Sequence, residues 1–166
     1  MASTAKSAHL PALGEHQLKD LGNTLQAMLV ELIDLSPFGK QLHWNVTGPM
    51  FNTLHVMFMG QYTELWNAVD PIAERIRKVG GSTLRSIGHI ARLQRVLDND
   101  AEFVTPLDML AELREDNKQL TMRLRETHDL CDEHGDGASA SLIENGIDEA
   151  EWRTRFLFET ARRSEG

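Results

Sequence analysis

Two histidines and two of the carboxylates stand out in the run HWNVTGPMFNTLHVMFMGQYTELWNAVDPIAERIRKVGG, residues 43–81: His43, His55, Asp70 and Glu74. Imidazole nitrogen and carboxylate oxygen together suit a first-row divalent metal ion. The spacing decides whether one ion can meet all four. Between the histidines lies Thr47-Gly48-Pro49, a turn signal: glycine takes the left-handed conformation that ends a helix, and proline cannot continue it. His43 lies five residues before Gly48 and His55 six after Pro49, so in an antiparallel hairpin the imidazoles converge. Asp70 and Glu74 share a face of the second helix, about 60° and 100° round from His55, yet His55 and Asp70 are roughly 22 Å apart along the axis. No ion spans that distance. The halves meet only if the helix packs antiparallel against its own copy about a two-fold axis near residue 63 or 64, which makes two identical sites at an isologous interface.

Taken singly, each residue has a plainer explanation. A histidine at a helix end is more often capped than metal-bound. Asp70 precedes Pro71 and can act as a local cap, and Glu74 can pair with Arg75 or Lys78 at the surface. The four gain weight together because Met59, Tyr62 and Trp66 lie between His55 and Asp70 on the same side, an apolar stripe suited to a partner helix.

The run HWNVTG…F…LH…F…QY…L…DPIAERI closely resembles the Dps proteins, the mini-ferritins that protect DNA during starvation. The match is dense over residues 40–81 and extends more weakly over about 14–163. It implies a ferroxidase site between subunits, with His43, His55, Asp70 and Glu74 as both catalytic residues and metal ligands. It also implies iron as the bound ion, hydrogen peroxide as the oxidant, and a hollow dodecamer built from two-fold dimers. One position departs from the pattern: where family members often carry an acid four residues after the second histidine, this chain has Met59. A thioether is a soft, poor ligand for iron, so the resemblance implies a weaker second iron position.

The elements that must hold these residues are all helical. Residues 1–13 are small and polar and read as a mobile tail; 14–163 read as a ferritin-like four-helix bundle. Leu18, Leu21, Leu25, Met28, Leu32 and Leu35 predict a first helix over about 14–47, with Pro37 kinking it near 33–37 or breaking it there. The second helix is expected over about 50–79, with a core stripe of Phe51, Leu54, Phe58, Leu65, Val69, Ile72 and Ile76. The long connection 82–105 is expected to carry a short helix near 86–96. The third helix is expected over 106–133, with Leu107, Leu110, Leu113, Leu120, Leu124 and Cys131 inward. The fourth is expected over 138–163, with Ile143, Ile147, Ala150, Leu157 and Ala161 inward. No strand pattern and no internal repeat are present.

With 166 residues and 41% hydrophobic content, the chain is long enough for one domain with a substantial core. A single cysteine, Cys131, excludes an intrachain disulfide and suits a reducing cytoplasm. No apolar run is long enough for a membrane span. The formal net charge of −8 favours attraction of cations over nucleic acid. A shell of twelve such chains would carry roughly −96. The family's tails can bind DNA through lysines. This tail has only Lys6 and His9, so DNA binding is expected to be weak and any nucleoid association slight. Glu144, Asp148 and Glu149 are the candidates, by similarity, for acidic pores.

Three motifs are set aside. DEHGDG at 132–137 lacks the closing glutamate of a calcium loop, since Ile143 stands there, and reads as a turn between helices. His128, Cys131 and His134 lack a fourth zinc ligand. No histidine has a glutamate three residues before it, which excludes the usual intrachain diiron motif. Arg75, Arg77 and Lys78, like Arg162 and Arg163, read as solvated helix ends. Two rival functions remain open: a DNA-compacting structural protein with a weak or vestigial metal site, and a helical scaffold with no metal.

Overall fold

The computed structural model describes residues 13–162, and these form five helices and no strand. They are α1 (Glu15–Asn45), α2 (Phe51–Lys78), α3 (Ile87–Leu93), α4 (Pro106–Glu133) and α5 (Gly137–Arg162). The expected tail, with Lys6 and His9, lies outside the described residues except for Leu13. α1 packs along α2 and α4 along α5, while α1 also meets α4 and α2 meets α5. This is the expected four-helix bundle, and the short α3 rides on the crossover between α2 and α4.

Turn chemistry sets the helix ends. Gly48 takes φ 92° just past α1, as the Thr-Gly-Pro turn requires. At the far end of α2, Gly81 does a different job. A Cβ there would lie 2.8 Å from Ile76 Cγ2 and 3.4 Å from Gly22 Cα, so the glycine lets the crossover pass close over α1. Thr105 caps α4, its hydroxyl accepting from the Asp108 N–H, and Pro106 follows in the first turn.

Helix α1 runs unbroken from Glu15 to Asn45 with Pro37 inside it, so the alternative of a full break there does not occur. Beside the proline, the Ser36 hydroxyl donates to the Leu32 carbonyl at 2.6 Å.

The leucine and isoleucine stripes are buried as their periodicity predicts, from Leu21 to Leu157. Leu18, Val69, Ile147 and Ala161 are partly buried against that core, and two expected core residues are exposed. Phe51 and Leu107 are 41% and 42% exposed. Each occupies the first turn of its helix, at an end of the bundle where no facing helix covers it.

A larger correction concerns Arg75. Its neighbours Arg77 and Lys78 are solvated, but Arg75 is buried. Its Nη2 donates to Asp136 Oδ1 at 2.5 Å and its Nε to Ser139 Oγ at 2.8 Å. Ser139 in turn donates through its hydroxyl to Asp136 Oδ2 and through its N–H to Asp136 Oδ1. Asp136, the last residue of DEHGDG but one, therefore caps α5 while it locks α5 onto α2. The motif is a turn between helices, as its sequence predicts, with an ionic anchor that the pattern does not show.

Candidate metal centre

His43 sits in the last turn of α1 and His55 in the second turn of α2, and the hairpin brings them face to face. The rings stack with centroids 3.6 Å apart and planes 27° from parallel. The Phe51 ring lies tilted against His55, with centroids 4.8 Å apart. The hydrogen bonds are crossed: His43 Nδ1 lies 2.6 Å from the His55 carbonyl, and His55 Nδ1 lies 2.9 Å from the His43 carbonyl. A carbonyl oxygen only accepts, so each Nδ1 carries the proton. In the neutral ring each Nε2 is then a bare lone pair, the form that binds a metal ion, and its tautomer is set by a backbone group as in many metal-binding imidazoles.

The carboxylates do not join the histidines within the chain. Asp70 and Glu74 are exposed near the far end of α2, and Glu74 is 3.6 Å from Lys78. Helix α2 is continuous, so the fifteen residues from His55 to Asp70 correspond to roughly 22 Å. The surface between them carries half-buried Met59 and Tyr62 and half-exposed Trp66, with Tyr62 and Trp66 stacked at 6.3 Å. No group of three or more histidine, cysteine, aspartate or glutamate side chains is poised to hold an ion among the described residues.

The bundle interior holds an arginine instead. Arg153 of α5 is 3% exposed, its Nε donates to Asn117 of α4 at 2.8 Å, and its Nη1 lies 3.5 Å from Glu64 and 3.9 Å from Glu149. A guanidinium in that place repels a cation. Of the three proposed pore acids, Glu149 therefore faces Arg153, Glu144 meets His128 Nε2 at 3.1 Å, and Asp148 is exposed. Cys131 is buried, and burial together with Asp136 and Asp132 pushes its thiol up to about 12, so it stays protonated as a core residue. On the face where α4 meets α1, burial and the nearby Glu112, Glu115 and Glu31 push Asp116 up to about 6.

Lys40 is not among the residues that the sequence singles out. It precedes His43 by one turn, and that spacing was the available signal. Its Nζ donates to Met59 Sδ at 3.0 Å, beside the imidazoles.

Known proteins share this arrangement of helices. A sequence-family model described as a ferritin-like domain matches residues 22–164. An uncharacterized low temperature-induced protein of Nostoc sp. is 30% identical over 151 residues, covering 89% of this chain and 84% of that one. The DNA protection during starvation protein of Brevibacillus brevis is 32% identical over 121 residues, covering 70% of this chain and 80% of that one. Among solved structures, the Dps protein of Vibrio cholerae O1, described as belonging to a superfamily of ferritin-like diiron-carboxylate proteins, superposes with a TM-score of 0.87. That match covers 95% of this chain and 98% of that one, at 24% identity.

Proposed function

Because this chain belongs to the Dps family of ferritin-like proteins, we propose that it binds, oxidises and stores iron at a site shared between two copies, and so protects DNA from oxidative damage. His43 and His55 of one subunit act with Asp70 and Glu74 of the next, and twelve subunits close into a shell. The crossed histidine pair carries this reading. Two imidazoles held with protonated Nδ1 and bare Nε2 beside an uncovered apolar helix face are half of a ligand set, and the other half lies where only a second copy can bring it. Iron is the substrate here. Two ferrous ions give one electron each to hydrogen peroxide, which leaves with two protons as two waters. Carboxylates favour the harder ferric product.

No helix among the described residues is long and apolar enough to cross a membrane, and a cytoplasmic setting fits the single buried thiol. Anaerobic loading with ferrous ion, then peroxide, should give a prompt rise in ferric absorbance with two irons oxidised per peroxide. In the His43→Ala/His55→Ala protein the rise should slow by about 100-fold or more. An unchanged rate would overturn the site.

DNA protection by this route needs no tight grip on DNA. Binding to DNA rests on Lys and Arg neutralising phosphates, and a chain of net charge −8 opposes that. In a gel-shift assay at ~150 mM salt, plasmid should run free of the protein. Retention without added divalent ions would favour the DNA-compacting alternative.

A further inference from the structure

The seam between α2 and α5 holds two buried polar atoms that have no hydrogen-bond partner among the described residues. Gln61 of α2 is 5% exposed, and its Oε1 accepts from no donor. Across the seam Arg153 keeps its Nε on Asn117, but its Nη1 makes no hydrogen bond and meets Glu64 and Glu149 only as ion pairs, at 3.5 and 3.9 Å. Buried polar groups nearly always find partners, so an acceptor and a donor left open on one cleft call for an occupant. Both residues line a cleft of about 180 Å³. Its other walls include half-buried Met57, one turn before Gln61, and the tilted rings of Trp152 and Phe156, with centroids 5.2 Å apart. The Thr160 hydroxyl lies 3.7 Å from the Met57 sulfur. Gln61 stands about 240° round α2 from His55, so this cleft faces away from the imidazoles.

The occupant must accept from a guanidinium N–H and donate to an amide oxygen. It must also be uncharged, because Glu64 and Glu149 already balance Arg153. Water and hydrogen peroxide both meet these conditions. The thioether wall separates them, since water leaves methionine unchanged and peroxide oxidises it. We propose that the α2–α5 cleft binds hydrogen peroxide and that Met57 is oxidised there to the sulfoxide. A sulfur lone pair forms the S–O bond as the O–O bond breaks. The proton on the transferred oxygen passes to the leaving oxygen, which departs as water. Sulfur loses two electrons and the peroxide gains them. The Arg153 N–H stabilises the negative charge that develops on the leaving oxygen. Gln61 Oε1 accepts the O–H of the transferred oxygen and aims it at the sulfur. Reductases return methionine sulfoxide to the thioether, so Met57 is a renewable sink for peroxide.

The test treats the assembled, iron-free protein with dilute hydrogen peroxide in the presence of a chelator. Peptide mass spectrometry follows the sulfoxide at Met57 and Met122 over time. Exposure alone favours Met122, which is 53% exposed. Met57 should nevertheless be oxidised first. Gln61→Leu removes the acceptor and should slow Met57 by about 3- to 10-fold, the worth of one hydrogen bond, while Met122 keeps its rate as the internal clock. Met122 outrunning Met57 in the unsubstituted protein would overturn the proposal. So would a Gln61→Leu protein of unchanged helical content and assembly size in which Met57 keeps its rate or both methionines slow alike. No iron is present, so neither outcome bears on the site shared by the histidines and the acids.

Discussion

Subunits carrying His43→Ala/His55→Ala, co-assembled with subunits carrying Asp70→Ala/Glu74→Ala, should recover part of the rapid ferrous oxidation that neither parent shows. Each parent lacks one half of every site and should fall by about 100-fold or more. In a mixed two-fold pair, one interface receives both damaged halves and the other receives neither. With random pairing of equal amounts, about a quarter of all sites are whole, and the rate should return to about that fraction. The motive is geometric: α2 is one continuous helix with the histidine near one end and the acids near the other, roughly 22 Å apart. A site contained in one chain would stay dead in every mixture. No recovery, with mixed dimers verified by mass spectrometry, would sink the shared-site geometry.

The largest effect on stability should come from the anchor between α2 and α5. Arg75 and Asp136 are buried, and their side chains are 11% and 4% exposed. Removing one partner strands the other's charge away from water, and such losses run to about 3–5 kcal/mol. Arg75→Ala and Asp136→Ala should each lower the denaturant midpoint strongly, the second also by loss of the α5 cap. Replacing both partners with apolar residues, as in Arg75→Met/Asp136→Leu, leaves no orphaned charge. It should cost clearly less than the sum of the two single changes. Strictly additive losses in chemical denaturation would show that the pair is not coupled as its geometry indicates.

These two predictions differ in how far they could be read from the chain. Glycine and proline mark the hairpin locally, so the convergence of His43 and His55 follows from counting residues away from the turn, and the rings do stack. Helix limits were legible for the same reason, to within a residue or two for α2, α4 and α5. Arg75 was not. On its own helix it belongs to a basic end with Arg77 and Lys78. Only the arrival of Asp136, sixty-one positions later, turns it inward. Phe51 and Leu107 failed for the opposite reason: their spacing matches a core stripe, but the stripe outruns the bundle. Lys40 is not legible in the sequence because a cation beside two candidate ligands runs against a metal-site pattern. The chemistry that explains it, a thioether and two aromatic faces, comes from three other positions.

The crossed bonds at the tip of the α1–α2 hairpin make the two imidazoles independent of one another. Each ring is oriented by the other residue's main-chain carbonyl, not by its side chain. Substitution removes a ring but cannot remove a peptide oxygen. Exchanging His43 for another residue therefore leaves His55 still aimed and still in the same tautomer, and the reverse holds too. What disappears is the stacking partner, not the bond that orients the surviving imidazole. In an engineer's terms the histidine pair has no single point of failure: its alignment is written in the backbone of the turn, which every variant inherits unchanged.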